Sequence, residues 1–200
     1  MRSAGVRTAL LQRSRPCGCG TPRPRLRSGP GDGRHRCEEA ADVTMHSSVQ
    51  AAVDAAVAAG GTMRRYISVK PGTYREVVCV PAAAPPITLF GLGSAPAHTT
   101  ISFGNANPTP KPGGSATHPC ASNASSSTVG TSDSGTVTVR AAQFQARNLA
   151  IVNSYVEGTY ASSNQSAVAL ALRGDKAVLE NVALVGNQDT LLAAPPAPAR

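Results

Sequence analysis

The 200-residue chain carries 19 Lys or Arg against 11 Asp or Glu, a formal net charge of +8, and is long enough for one domain with a sizeable core. The charge is uneven: residues 1–40 hold nine Arg against Asp32, Glu38 and Glu39 (net +6), while residues 41–200 are near neutral at +2. A basic arm without interleaved aromatics or a nucleic-acid-binding motif argues against a nucleic-acid partner, and no apolar run has the length of a membrane span, which argues against a membrane one.

The head, "RPCGCGTPRPRLRSGPGDGRHRC", has too few apolar residues to order itself, so residues 1–40 are expected to be a disordered extension, with the true start of the domain downstream. "TALL" is too short for the apolar core of a secretory signal, so no signal peptide is visible. Cys17, Cys19 and Cys37, with His35 and His46 nearby, lack the paired spacing of a zinc site, and no metal is expected. Cys79 falls on an apolar run and reads most simply as a buried thiol. Cys120 falls in a Ser/Gly/Pro-rich stretch, and sequence alone does not decide whether the two pair.

One helix is legible over residues 47–59. Ser47 or Ser48 serves as N-cap, and Gly60–Gly61 stops it. Val49, Ala52, Val53, Ala56 and Val57 form an apolar stripe that reads as a lid on a core. Short β-prone runs follow at 65–69, 75–80, 87–90, 99–103, 136–139, 149–152, 167–172 and 177–185, with Gly, Pro, Asn and Ser between them. No helices alternate with these runs, so a doubly wound α/β sheet is disfavoured. "NLAIV" and "NVALV" repeat with their Asn residues 33 positions apart, and "TVTV" and "AVAL" start 31 apart. Repeats of this length suggest stacked units, best met by an all-β parallel solenoid; a sandwich or barrel stays open. Two stretches of loop composition, 104–135 and 154–166, interrupt the units. Tyr155 and Tyr160 on the second either stack on sugar rings or pack locally. Residues 194–200 are a Pro/Ala tail.

Several segments, in order, resemble the pectinesterases (pectin methylesterases). "SVQAAVDAA", "VKPGTYREVVCV", "ITLFGLG", "TVTVRAAQFQARNLAIVNS" and "SAVALALRGDKAVLENVALVGNQDTLL" are similar to the family's opening helix, its G-x-Y-x-E segment, the next strand and turn, the strand pair before the site, and the Q-A-V-A-L to G-Y-Q-D-T-L core. The resemblance implies a right-handed single-stranded parallel β-helix with an N-terminal capping helix over residues 41–193. It further implies a monomeric esterase, secreted or in the cell envelope, that demethylates the homogalacturonan of methyl-esterified pectin without metal or organic cofactor. Asp189 falls on the general acid/base and Gln188 on an amide donor to the oxyanion. Gln165, Ser166 and Tyr160 are the candidate substrate-binding residues. The departures carry their own expectations. Ser166 stands where the family has the Gln of Q-A-V-A-L, and adjacent Gln165 would face the opposite side of a strand. Asn187 replaces the aromatic of G-Y-Q-D-T. A D-F-I-F-G-like segment bearing the nucleophilic Asp, and the Arg beyond it, do not occur in the sequence. The chain is therefore expected to be an N-terminal fragment of a pectinesterase and inactive by itself. The alternatives are a non-catalytic β-solenoid that binds carbohydrate or serves as a surface module, and a thioesterase-like relative within the family. A Ca²⁺-dependent lyase is disfavoured because acids are sparse. A glycosidase is disfavoured because Asp175 and Glu180 are distant partners for Asp189.

Overall fold

Alternating Val, Ile and Leu in the short runs dictate strands with one apolar face, and the computed structural model shows where those faces point. It describes residues 6–9, 43–111, 118–121 and 125–194. The elements are β1 (Val6–Ala9), β2 (Val43–His46), α1 (Val49–Ala58), β3 (Arg65–Val69), β4 (Gly72–Arg75), β5 (Val78–Val80), β6 (Ile87–Gly91), β7 (Thr99–Phe103), β8 (Val137–Val139), β9 (Gln145–Asn153), β10 (Leu170–Leu172), β11 (Val178–Val185) and β12 (Leu191–Ala193).

The parallel pairings resolve into four stacked coils. β3, β6, the first half of β9 and the first half of β11 line one wall. β4, β7 and the second halves of β9 and β11 line the next. β5, β8, β10 and β12 form the third. Each turn of the chain thus gives one strand to each wall, which makes the molecule a parallel β-helix as expected. In-register ladders of apolar side chains fill the interior: Ile67–Leu89–Ala146–Leu179, Tyr74–Ile101–Ile151–Leu184 and Val78–Val137–Leu170–Leu191. The inner members of the first three coils are buried, whereas Leu191 on the fourth is half exposed.

Leu149 pairs with Val182, and Val137 with Leu170, both 33 positions on. The 33-residue offset read from the Asn pair therefore holds for both of these pairings, whereas other coils differ in length, since Ile67 pairs with Leu89 and Leu170 with Leu191. The 31-residue offset of "TVTV" and "AVAL" is corrected. Both runs alternate small and branched residues, so a two-residue slip preserves the pattern and the sequence alone does not fix the register. Asn148 and Asn181 mark the same corner of successive coils in left-handed backbone (φ 51 and 52). Asn181 Nδ2 donates to Asn148 Oδ1 at 2.9 Å, and Asn148 Nδ2 donates to the carbonyls of Gly91 and Gly93. A Cβ on Gly91 would lie 2.1 Å from the Asn148 carbonyl oxygen, so the stacked corner requires glycine there.

Helix α1 closes the first coil. Ser48 is its N-cap, with Oγ accepting from Ala51 N at 3.1 Å. The stripe Val49, Ala52, Val53 and Ala56 is buried in the common core, with Val57 packed against it. Gln50 treats β5 as a strand would: its Oε1 accepts from Cys79 N at 2.6 Å and its Nε2 donates to Cys79 O at 3.2 Å. These bonds satisfy backbone groups that a preceding coil would otherwise pair. The expected strand 75–80 is corrected to two, β4 and β5, because Glu76 turns out of the ladder. Its Oε1 and Oε2 accept from Val49 N and Gln50 N, each at 2.8 Å, which places a carboxylate at the helix N-terminus.

The expectation of a structureless head does not hold for Val6–Ala9, which pairs antiparallel with β3 and β2. β3 lies in the first coil, its outer edge is unpaired by any earlier coil, and a short β-prone run can occupy it. The rest of residues 1–40 lies outside the described residues, as do 195–200. Among the described residues, no helix is long and apolar enough to cross a membrane.

Candidate active site

The strand β12 is short, and the route into it sets the site. Ala167 N donates to Asn187 O at 2.6 Å, and Asn187 N donates to Ala167 O at 3.2 Å. Beyond the turn, Thr190 O accepts from Ala169 N and Leu170 N at 3.0 and 3.2 Å. Residues 187 and 190 are thereby pinned to the neighbouring coil, and the two between them are thrust outward. Gln188 and Asp189 adopt left-handed backbone in succession (φ 49 and 45), and both are exposed. Two consecutive non-glycine residues in that region are uncommon and cost conformational energy, which is a signature of sites where side-chain aim matters. Gly186 makes the close approach possible, since a Cβ there would stand 2.6 Å from the Ala167 carbonyl oxygen. Among the described residues, the Asp189 carboxylate has no hydrogen-bond or ion-pair partner.

The other candidates divide. Gln165 is buried, and its Oε1 accepts from Tyr155 Oη at 3.0 Å and Gly158 N at 2.6 Å. It is turned toward the loop 154–165 and anchors it. Ser166 is buried beside it, and its carbonyl accepts from Asn107 N at 2.8 Å. Tyr160 is exposed, with its ring stacked against Tyr155 at a centroid distance of 6.3 Å and an interplanar angle of 27°. The two rings thus pack on each other, with Tyr160 on the solvent side. The loop also reaches the turn itself, where Asn187 Nδ2 donates to Glu157 Oε1 at 2.6 Å.

Beneath these loops lies a residue that sequence reasoning missed. Asn153, at the end of β9, is buried, and its Nδ2 donates to the carbonyls of Asn105, Ser134 and Val168 at 2.6, 3.1 and 2.9 Å. Its Oδ1 accepts from Tyr155 N at 3.1 Å. One amide therefore ties three chain segments together under the site. No repeat signal marked it, because its counterpart one coil on is Gly186.

The other half of this wall is closed by a covalent link. Cys79 and Cys120 form a disulfide with a Cα–Cα distance of 5.5 Å, which corrects the reading of Cys79 as a buried thiol. Cys79 is the middle residue of β5 and points away from the core, so it is buried only because the loop bearing Cys120 crosses the wall. Arg140 Nη2 donates to Cys120 O at 2.7 Å and secures the same crossing. His118 joins the two cysteines in a cluster whose ligand-type atoms lie within 4.8 Å of one another. Its Nδ1 faces Cys120 N at 3.2 Å, its Nε2 faces Asp133 O at 3.3 Å, and burial holds its pKa below the ordinary histidine value. With both sulfurs joined to each other, the cluster has no thiolate to offer a metal.

The fold and this polar turn define a parallel β-helix protein with a solvent-facing amide and carboxylate at the turn into the last described strand of one wall. Comparison with known proteins then fixes the family: the pectinesterase family model matches residues 39–195, and the chain belongs to the pectinesterases. It is 63% identical over 153 residues to a pectinesterase of Ralstonia nicotianae, spanning 76% of this chain and 38% of that protein. It is 39% identical over 163 residues to a pectinesterase of Sitophilus oryzae, spanning 74% and 41%. Among solved structures, rice weevil pectin methyl esterase superposes with a TM-score of 0.64 at 38% identity, covering 74% of this chain and 43% of that one. A pectin methylesterase in complex with a hexasaccharide superposes with a TM-score of 0.58 at 26% identity, covering 74% and 41%. The chain thus spans about two-fifths of the length of the curated relatives it matches.

Proposed function

We propose that the Gln188–Asp189 turn is the acid/base and oxyanion half of a site that hydrolyses the methyl esters of pectin. In such a hydrolysis a carboxylate attacks the ester carbon, the carbonyl oxygen takes up the electron pair, and an acid protonates the departing methoxy oxygen. Gln188 supplies an amide N–H for the developing oxyanion, and Asp189 delivers the proton and later recovers one from water. The observation that carries the reading is the paired left-handed backbone at 188 and 189, held by clamps at 187 and 190. The nucleophile belongs to a D-F-I-F-G-like segment that the 200-residue sequence does not contain. These 200 residues are read as the part of such a site that binds and positions the ester.

Gln165 and Ser166 support this site from behind rather than lining it, since Gln165 Oε1 is already engaged and both residues are buried. Tyr160 offers the sugar-stacking surface. Methyl-esterified pectin is the partner, bound by a monomer without metal or cofactor, and the disulfide suits an oxidising extracytoplasmic compartment. The test is calorimetric titration of the chain with methyl-esterified oligogalacturonide. Weak binding that falls about fivefold in Tyr160→Ala is expected, since losing one stacking face removes roughly 1 kcal/mol. Binding unaffected by Tyr160→Ala would move the substrate groove elsewhere.

A further inference from the structure

Two carboxylates bracket the turn. Glu157 reaches it from the loop through the 2.6 Å bond from Asn187 Nδ2, and Asp189 stands two residues further along the chain. Both residues are exposed, and among the described residues neither has a cationic partner. Asn187 occupies the place where the family carries an aromatic ring, so a neutral wall is replaced here by an amide holding an anion.

Resting on the site reading above, we infer that Glu157 is a specificity-determining residue. It disfavours an ionised galacturonate beside the reacting sugar and so selects for methyl-esterified neighbours. A galacturonate carboxylate brought within a few ångströms of Glu157 meets a like charge, whereas its methyl ester is neutral and of similar shape. Two unit charges about 4 Å apart repel by roughly 1 kcal/mol in water, which corresponds to about a fivefold discrimination. The penalty is electrostatic and lies at an exposed site, so salt screens it once the Debye length falls to about 3 Å, at roughly 1 M. The hydrogen bond from Asn187 fixes the charge in place; a free glutamate on a loop would swing away from an incoming anion.

The test compares short oligogalacturonides, fully methyl-esterified and fully de-esterified, binding to the whole chain at low and at high salt. The wild type is expected to prefer the methylated oligomer about fivefold at low salt and less at high salt. Glu157→Gln keeps an oxygen for Asn187 but removes the charge. It should bind the methylated oligomer as the wild type does and gain affinity for the de-esterified one. An unchanged preference in Glu157→Gln overturns the inference, as does equal weakening toward both oligomers in Glu157→Gln and Glu157→Ala, which would make Glu157 a loop anchor only. Failure of the wild type to bind either oligomer defeats the reading of the site and this inference with it. Binding of the methylated oligomer with no preference defeats the inference alone.

Discussion

Tyr74 and Glu76 lie two residues apart and hold the first coil from opposite sides. The phenol is buried and donates to Lys70 O at 2.9 Å, while the carboxylate receives the first two amides of α1. Burial, with the Glu76 carboxylate nearby, raises the Tyr74 pKa above its ordinary 10.0. The unfolded phenol therefore ionises first. The contribution of Tyr74 to stability is complete below about pH 10 and is lost as pH rises through the higher folded value. Thermal unfolding followed by circular dichroism from pH 8 to pH 11 should show a steeper alkaline loss for the wild type than for Tyr74→Phe; equal slopes would refute the assignment. The segment G-x-Y-x-E was visible in the sequence as a pattern. Its purpose was not, because a cap donated from 26 or more residues away has no local signature. Asn153 was hidden for the same reason. The Gln188–Asp189 pair was singled out through the family-like segments around it, and not through the clamps at 187 and 190.

At the scale of elements, the wall formed by β5, β8, β10 and β12 carries the candidate site. Every residue of β5 and β8 is buried on both faces. The inner face meets the core ladder, and the outer face of β5 meets the crossing held by Cys120. Closing a loop of 41 residues by a disulfide is worth roughly 3–4 kcal/mol through the unfolded chain. Cys120→Ser should accordingly lower the thermal midpoint by about 6–16 °C for a domain of this size. A shift of only a degree or two would mean that the crossing is held by Arg140 and the neighbouring backbone instead. The helix, most of the strands and the 33-residue offset were readable from short-range patterns, whereas β1, β2, β12 and the break between β4 and β5 were not. The disulfide was not, because pairing depends on which loop crosses which strand. The two-residue error in the "TVTV" register arose because alternation leaves slips of two degenerate.

At the scale of the whole molecule, four coils stack a pectinesterase interior and bring one exposed turn to the edge of one wall. We propose that this turn supplies the acid/base and the oxyanion donor, and that the nucleophile comes from elsewhere. Methanol release from methyl-esterified pectin at saturation tests it most directly, measured for the wild-type chain and for Asp189→Asn side by side. No release above background is expected from either. Release by the wild type that disappears in Asp189→Asn would show that the chain carries its own nucleophile, and would contradict it.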